Sequence, residues 1–501
     1  MPWNAAYALA TAGRTTPATA APSGPSAPPP RGRARRRCRP RGTGTGTGSR
    51  GPSPPLPPAR RPVPTGRRPS PTRSPHAPTD RSRWSRRSFL ATVAGGAGGV
   101  IVGPGASTAR AAGARPAGRL RTYVIVVDGC RPDEIRPLFM PRLSALRDTG
   151  TTYPAAQSLP VMETIPNHVM MMTGVRPDRS GVPANAVYDR TERTVRDLDR
   201  PADLRAVTLF ELLRATGRTS GSVLSKRYLH GIFDTRADFH WKPEPMLPIT
   251  EHAPDGFTAD AVISMIDSAD PDLMFVNFGD VDRVGHSDLT GGTLELARRA
   301  ALVSTDYQIG RVVRHLKDTG RWEDSVLIVL ADHSMDWSLP FAMVSLAPLL
   351  AEDPLLKDRC VIAQNGGADL LYWTGPDADR GRAVARMREI VLAEEGVLSV
   401  HAPGELRLGP EAGDLVAYVR PGYRFSDPLP ISNPIPGNHG HPATLPIPFF
   451  VSGGSPLVRR GAVSDAPART IDVAPTVAAL YGLGRPPGGW DGTARRDAFV
   501  R

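Results

Sequence analysis

The chain has 501 residues, of which 40% are hydrophobic and 22% are charged, so it is long enough for one large α/β domain or two to three ordinary domains. This length excludes a small disulfide-stapled scaffold. The formal net charge of +13 is typical of nucleic-acid binders, but it is concentrated at one end of the chain. Residues 1–111 contain 19 arginines and one acidic residue, which leaves residues 112–501 with a net charge of −5. We therefore predict no nucleic-acid-binding surface for the folded part.

Residues 1–80 are rich in arginine and proline, with 19 prolines and a Gly-Thr run from Gly42 to Gly48. A segment of this composition cannot bury enough apolar surface to offset the entropy that an ordered backbone loses. We therefore expect residues 1–80 to be disordered.

Residues 81–111 have the pattern of an export signal. Arg86 and Arg87 precede Phe89-Leu90 and a short apolar, glycine-rich run, and small residues end at Ala109-Arg110-Ala111. Paired arginines before Phe-Leu are typical of the twin-arginine class, and Ala-x-Ala is typical of a cleavage site. The apolar run is too short to span a bilayer. We predict export by the twin-arginine machinery, to the periplasm, the cell surface or the medium.

After this signal, strand patterns alternate with helical patterns. Apolar and β-branched runs at Thr122–Asp128, Leu273–Phe278 and Ser325–Ala331 predict parallel strands that are buried on both faces. Helical patterns at Met140–Thr149 and Leu294–Thr319 lie between them. We predict an α/β fold with a doubly wound, mostly parallel sheet that is flanked by helices.

Each of the three predicted strands is followed by a carboxylate, at Asp128, Asp282 and Asp332. Ligands bind at the carboxyl ends of strands in open α/β sheets. Two of the carboxylates have nearby imidazoles, since His286 follows Asp282 by four residues and His333 follows Asp332 directly. Carboxylate oxygens and imidazole nitrogens suit zinc, and carboxylates also suit manganese.

A glycine-flanked loop near the C-terminus adds two further imidazoles, His439 and His441. A candidate nucleophile stands at Thr164, where an apolar stretch predicts the start of a helix. A hydroxyl at a helix N-terminus meets backbone N–H groups and the positive end of the helix dipole, which suits an oxyanion. The alternative is that Thr164 only caps the helix. Taken together, these groups fit a two-metal site with a threonine nucleophile.

These motifs resemble the alkaline phosphatase superfamily and, within it, the type I phosphodiesterase/nucleotide pyrophosphatase family. The resemblance covers about residues 120–485, which we take as the main part of a catalytic domain at 120–501. The matching segments are Val127–Asp133, Thr164–His168, Thr173-Gly174, Ser180–Val182 with Asn185, Asp282–His286, Asp332-His333, Gly437–Gly440 and Thr470–Thr476.

The resemblance implies two bound Zn²⁺ ions, or Mn²⁺ in their place. It also implies that Thr164 is the nucleophile and that its oxygen binds the ion held by Asp128, Asp332 and His333. Asn185 is implied to contact a phosphoryl oxygen. We favour His439 over His441 because the family pattern is Gly-x-His-Gly, and we assign His168 a structural role. The implied ligand sets are Asp282, His286 and His439 for one ion, and Asp128, Asp332 and His333 for the other.

Two positions depart from the family pattern. Cys130 stands where an aromatic residue is usual, and Ser334 stands where glycine commonly follows the Asp-His pair. Neither change removes a ligand. The segment of about 340–432 matches least well, and we expect an accessory subdomain there that shapes the substrate pocket. We expect Cys130 and Cys360 to be free thiols.

The resemblance implies a hydrolase of small phosphoric esters, most closely a phosphodiesterase or nucleotide pyrophosphatase. Because the phosphoryl contact Asn185 is neutral, we expect diesters and nucleotide-type phosphoanhydrides to react better than monoesters. A phosphomonoesterase stays open, with Lys226 and Arg227 as candidate phosphate contacts, although a solvated loop pair is the favoured interpretation of these two residues. A phosphonate hydrolase and an inactive binding protein also stay open. A sulfatase is strongly disfavoured, because the Cys-x-Pro-x-Arg motif here ends in Glu134.

Overall fold

The structure is a computed structural model that describes residues 118–247, 250–429 and 431–500. The disordered segment predicted at 1–80 and the export signal predicted at 81–111 lie outside these described residues. Within the described ranges, no helix combines the length and the apolar character that crossing a membrane requires.

The described residues contain eighteen β-strands, eight of which form one central sheet. In chain order the strands are β1 (Arg121–Val127), β2 (Thr151–Thr152), β3 (Ala186–Asp189), β4 (Thr194–Asp197), β5 (Ser220–Leu224), β6 (Phe239–Trp241), β7 (Leu273–Phe278), β8 (Ser325–Leu330), β9 (Asp336–Trp337), β10 (Met343–Val344), β11 (Cys360–Asn365), β12 (Ala368–Trp373), β13 (Val397–His401), β14 (Leu415–Val419), β15 (Arg424–Phe425), β16 (Gly437–Asn438), β17 (Phe449–Ser452) and β18 (Ala462–Val463).

The central sheet has the strand order β18-β2-β17-β8-β1-β7-β5-β6. Strands β8, β1, β7, β5 and β6 pair in parallel, whereas β17 runs antiparallel to both β8 and β2. Strands β7 and β8 are buried along their whole length, because their apolar runs cover both faces. The mostly parallel sheet predicted from the sequence is therefore confirmed.

Helices flank the central sheet in two packed groups, one made of α1, α6, α7 and α8 and the other of α2, α4, α5 and α11. In chain order the helices of the described residues are α1 (Pro141–Thr149), α2 (Thr164–Thr173), α3 (Pro177–Ser180), α4 (Leu209–Arg214), α5 (Arg227–Phe233), α6 (Asp255–Ser268), α7 (Asp280–Ser287), α8 (Leu296–Asp318), α9 (Leu346–Ala351), α10 (Arg380–Ala393) and α11 (Val473–Tyr481).

The register of the central strands decides where the candidate ligands meet. Val127 of β1 lies beside Phe278 of β7, and β8 pairs in parallel with β1 on its other side. The carboxyl ends of the three strands therefore share one edge of the sheet. Asp128, Asp282 and Asp332 all leave the sheet at this edge.

A second sheet lies in the segment where the accessory subdomain is expected. It is antiparallel, with the order β11-β12-β14-β13, and helix α10 packs against it. Trp373 and Phe425 belong to a cluster of buried side chains that is separate from the main core. The structure thus contains an accessory subdomain, while its boundaries at about 340 and 432 stay a prediction.

The two cysteines of the described residues are free, as expected. Cys130 is buried, and burial raises the pKa of its thiol well above the usual value. A buried, protonated thiol is a poor nucleophile and a poor metal ligand.

Candidate active site

Thr164 is the first residue of α2 and is buried at the carboxyl edge of the central sheet. Its Oγ1 lies 3.2 Å from Nε2 of His333 and accepts a hydrogen bond from Nζ of Lys226 at 3.3 Å. Every residue of α2 is buried, so the helix holds this hydroxyl in a fixed place. The hydroxyl therefore lies at a helix N-terminus, where developing negative charge is stabilised.

Three carboxylates around Thr164 each present an oxygen that accepts no hydrogen bond from the described residues. Oδ2 of Asp128 accepts a hydrogen bond from Nδ2 of Asn277 at 2.7 Å, and Oδ1 of Asp332 accepts one from the N–H of Gly129 at 3.1 Å. Buried carboxylate oxygens without a partner are costly unless a cation compensates them. The oxygens without a hydrogen-bond partner among the described residues are Oδ1 of Asp128, Oδ1 of Asp282 and Oδ2 of Asp332.

Three histidines present the same ring nitrogen to the site. Because a carbonyl oxygen only accepts, each Nδ1 that contacts one carries a proton, and Nε2 is the ring nitrogen that faces the site. A ring held in this way binds a metal ion through Nε2 once that nitrogen carries no proton. The Nδ1 contacts are His286 to the Gly437 carbonyl at 2.8 Å, His333 to the Ser334 carbonyl at 3.0 Å and His439 to the Met162 carbonyl at 3.1 Å.

The first ligand group consists of Asp282, His286 and His439. Asp282 and His286 lie one turn apart on α7, with Oδ1 of Asp282 3.4 Å from Nε2 of His286. The Nε2 atoms of His286 and His439 are 3.2 Å apart. A Cβ on Gly437 would lie 2.2 Å from the Gly285 carbonyl oxygen, so only glycine lets the loop approach α7 this closely.

The second ligand group consists of Asp128, Asp332 and His333. Nε2 of His333 lies 3.3 Å from Oδ2 of Asp332 and 3.8 Å from Oδ1 of Asp128. With Thr164 Oγ1 beside the same Nε2, four of the predicted groups meet at one point. The two groups fit divalent metal ions, since they offer oxygen and nitrogen donors whose other atoms are already held.

A grouping of the possible ligand atoms by distance alone gives different sets, one of which includes His168. His168 has both ring nitrogens engaged, because Nδ1 donates to the Thr164 carbonyl at 2.8 Å and Nε2 lies 3.0 Å from Nδ2 of Asn277. We therefore keep its structural role and leave it out of the ligand sets. The two groups whose ligand atoms all lie within 4.8 Å of one another are Asp282 with His333 and His439, and Asp128 with His168 and Asp332.

Lys226 reaches the centre of the site. Its Nζ is 2.9 Å from Oδ1 of Asp128 and 2.7 Å from Oδ2 of Asp282. Burial alone would lower the pKa of this ammonium, but the Asp128 and Asp282 carboxylates outweigh burial and raise the pKa well above its usual value. The sequence favoured a solvated loop position for Lys226, and this prediction is wrong. Lys226 follows the end of strand β5 at the edge of the site, where its side chain is buried.

Arg227 differs from its neighbour. Its side chain is exposed and forms an ion pair with Glu251 at 2.5 Å. Lys226 follows β5, which pairs with β7, so it leaves the sheet at the same edge as the carboxylates. The sequence did not predict this position of Lys226, because the Ser-Gly-Ser start of β5 is not a typical strand pattern and its pairing with β7 could not be recognised.

The environment also sets the charge of the ligands. Burial, and then the neighbouring Asp332 carboxylate, raise the pKa of Asp128. Burial, and then the nearby His439, lower the pKa of His333 well below its usual value. Burial opposes the charged form of His439, but the Glu163 carboxylate raises its pKa to about 9. A neutral His333 has the lone pair that metal binding needs.

A cleft of about 330 Å³ opens beside Thr164. Asn185 lines it, and its Oδ1 accepts a hydrogen bond from the Ile165 N–H at 2.8 Å, which leaves the Nδ2 donor for a ligand. Gln364 of the accessory sheet lines the cleft on another side. His441 lies outside the ligand groups, with its Nε2 3.1 Å from Oδ2 of Asp336.

Comparison with known proteins agrees with this architecture. Residues 122–441 match the family profile of type I phosphodiesterase / nucleotide pyrophosphatase. Bis(5'-adenosyl)-triphosphatase ENPP4 from Bos taurus is 22% identical over 390 residues, which are 72% of this chain and 78% of that protein.

Solved structures share the fold. Murine ectonucleotide pyrophosphatase / phosphodiesterase 5 superposes with a TM-score of 0.62 at 18% identity, over 76% of this chain and 100% of its own. An inactive variant of it in complex with AMP gives 0.62 at 17% identity, and the human protein gives 0.61 at 16%, with the same coverage. The chain therefore belongs to the type I phosphodiesterase / nucleotide pyrophosphatase family of the alkaline phosphatase superfamily, metal-dependent hydrolases that act on phosphoric ester bonds.

Proposed function

We propose that this protein is an exported hydrolase of phosphodiesters and nucleotide-type phosphoanhydrides that uses Thr164 as its nucleophile and two zinc ions. One observation carries the proposal. Thr164 Oγ1 lies at a helix N-terminus, 3.2 Å from Nε2 of His333, among three buried carboxylates that each have an oxygen without a hydrogen bond from the described residues. This arrangement fits a hydroxyl that is activated by cations rather than one that caps a helix.

The two ligand groups would each hold one ion. Metal ions bound there supply positive charge that lowers the pKa of the Thr164 hydroxyl and offsets charge on the phosphoryl group. Oδ1 of Asp282 and the Nε2 atoms of His286 and His439 form one set of donors. Asp128, Asp332 and His333 form the other set, which adjoins Thr164.

The protein's own groups then carry out a two-step displacement. The Thr164 hydroxyl gives up its proton as Oγ1 bonds to phosphorus in line, the P–O bond to the leaving group breaks, and the leaving alcohol or phosphate departs with a proton. Water attacks the resulting phosphothreonine, releases the phosphoryl product and restores the hydroxyl. Nδ2 of Asn185 and the Thr164 backbone N–H would bind non-bridging oxygens of the transferred group.

Nucleotides are the first substrates to examine. One structural relative was solved with AMP, and the bovine relative is named a bis(5'-adenosyl)-triphosphatase. The neutral Asn185 donor also suits the single charge of a diester better than the double charge of a monoester.

The proposal of export is based on the paired arginines Arg86 and Arg87 and on the predicted cleavage site that ends at Ala111. We expect the exported chain to start near Ala112, which N-terminal sequencing of the mature protein measures. Lysines in place of both arginines should hold the protein inside the cell, and normal export of that variant would contradict the twin-arginine route.

Substitution of the nucleophile tests the chemistry. In metal-loaded protein, Thr164→Ala should lower kcat for bis(p-nitrophenyl) phosphate by at least about 1,000-fold, because it removes the covalent route. Thr164→Ser should retain part of the activity. Thr173→Val, at the other end of the same buried helix, controls for damage to α2. An unchanged rate in folded Thr164→Ala would remove Thr164 from the mechanism, and no turnover of diesters, monoesters or phosphonates by wild-type protein would favour a binding protein.

A further inference from the structure

We propose that Glu163 is a positioning residue for one of the two metal ions, because its carboxylate supports the ring of His439 at the nitrogen that faces away from the ion. The inference rests on the proposed function, since that function places one ion among Asp282, His286 and His439. It goes beyond that function, because Glu163 belongs to neither ligand group.

The carboxylate of Glu163 sets His439 apart from the other two ligand histidines. Nδ1 of His439 lies 3.1 Å from Oε1 of Glu163 and also 3.1 Å from the Met162 carbonyl oxygen. The Nδ1 atoms of His286 and His333 contact neutral carbonyl oxygens instead. His439 therefore has a negative charge beside Nδ1, while its Nε2 faces the site.

The backbone holds Glu163 at the start of α2. Its N–H donates to the Val161 carbonyl at 2.7 Å, and its carbonyl accepts from the Asn167 side chain at 3.1 Å. The side chain of Glu163 is only 3% exposed. Glu163 directly precedes Thr164, so two successive residues present a hydroxyl to one ligand group and a carboxylate to the other.

A glycine leaves room for this carboxylate beside the loop that carries His439. Gly440 has a φ of +101°, and a Cβ there would lie 2.9 Å from Oε1 of Glu163. An antiparallel bridge joins Met162 to Gly440. The loop and the start of α2 are thus packed closely enough to keep Glu163 and His439 in contact.

Charge explains the expected effect. Asp282 is the one carboxylate of the first ligand group, whereas the second group has two. A buried divalent ion needs nearby negative charge, and Glu163 supplies a second negative charge beside the first group. A carboxylate at the far nitrogen also makes an imidazole a stronger donor to a metal ion. Because a divalent ion carries twice the charge of the proton it replaces on Nε2, the carboxylate favours the ion over the proton.

Metal affinity tests the inference without any turnover. In the purified protein, Glu163→Gln keeps the shape of the side chain and removes its charge. Chelator competition at pH 9 should show that the zinc Kd of one of the two ions rises about 10- to 100-fold. The Kd of the other ion should change by less than about threefold, which also shows that the variant is folded.

A spectroscopic readout identifies the affected ion. With cobalt(II) in place of zinc, the visible absorption bands report the donors around each ion. Glu163→Gln should shift the bands that His439→Ala abolishes. Asp197→Asn, which removes an exposed carboxylate from the same cleft, should leave those bands and both Kd values unchanged. In a His439→Ala background, Glu163→Gln should not alter the Kd of the remaining ion.

The outcomes are distinct. Equal affinities in wild type and Glu163→Gln, or equal losses at both ions, would overturn the inference. If Glu163→Gln does not fold, Glu163→Asp, which withdraws the charge by one methylene, should raise the Kd of the same ion about three- to tenfold, and an unchanged Kd would contradict the proposed role. Failure of the proposed function has a different signature, since wild type would then bind no transition metal or Thr164→Ala would keep its turnover.

Discussion

His333 and His439 stack face to face, with ring centroids 3.7 Å apart and ring planes inclined by 16°. The two rings come from different ligand groups, one following β8 and the other following β16. Their Nδ1 atoms are held by backbone carbonyls, so the Nε2 edges face the site. The stacked rings therefore bring the two ligand groups into contact. Loss of one ring should disturb the ligand group to which the other ring belongs.

The first prediction concerns metal content. His439→Ala should remove close to one bound ion per chain, because it deletes a donor and the stacking partner of His333. His441→Ala should keep wild-type metal content, because Nε2 of His441 is engaged with Asp336 instead. Elemental analysis of dialysed protein measures both variants.

The reverse order would assign the ligand role to His441. Purified, active wild type should contain about two zinc ions per chain, and activity without any bound transition metal would contradict the two-group interpretation.

The second prediction concerns the close approach of Gly129 and Asp282. Gly129 has a φ of +68°, and a Cβ there would lie 3.0 Å from both Cβ and Oδ1 of Asp282. Gly129→Ala should cost roughly 1–2 kcal/mol of stability from backbone strain alone, and it should also displace Asp282 and weaken metal binding. Thermal unfolding and a metal titration check these two effects.

Gly482 offers a matched control. It has a φ of +64°, and a Cβ there would meet no atom within 4 Å. Gly482→Ala should therefore show the strain cost without any loss of metal affinity. Equal metal affinity in both variants would show that Gly129 serves the turn and not the site.

The clustering of the main candidate ligands could be predicted because their signals are local in sequence. Asp128 and Asp332 directly follow or closely follow apolar strands, and His286 lies one helical turn after Asp282. Parallel strands end at one edge, so these residues had to meet there. The antiparallel strand β17 and the two-residue strands β2 and β18 have no such signal, because pairing partners define them rather than pattern.

The supporting residues could not be predicted in the same way. Asn277 lies inside an apolar strand, yet it donates to Asp128 at 2.7 Å and accepts from the Ser225 hydroxyl at 2.6 Å. Glu163 precedes the helix, and its carboxylate lies 3.1 Å from Nδ1 of His439. These contacts join segments that are distant in sequence, so only the folded arrangement reveals them.

The last prediction concerns Asp369 on β12 of the accessory sheet. Its side chain is fully buried, and neither carboxylate oxygen has a hydrogen-bond partner among the described residues. Burial, and then the neighbouring Asp427 carboxylate, raise the pKa of Asp369 well above its usual value. The folded protein therefore keeps this group protonated at pH values at which the unfolded chain ionises it.

The sign of the pH effect follows from that difference. With a raised pKa in the folded state, the stabilising contribution of neutral Asp369 is complete below its unfolded-state pKa and is lost as the pH rises toward the folded-state value. Asp369→Asn keeps the shape without a titrating proton, so its melting temperature should exceed that of wild type at pH 8 and approach it near pH 4. A melting-temperature difference for Asp369→Asn that does not grow between pH 4 and pH 8 would mean that the folded protein does not raise the pKa of Asp369.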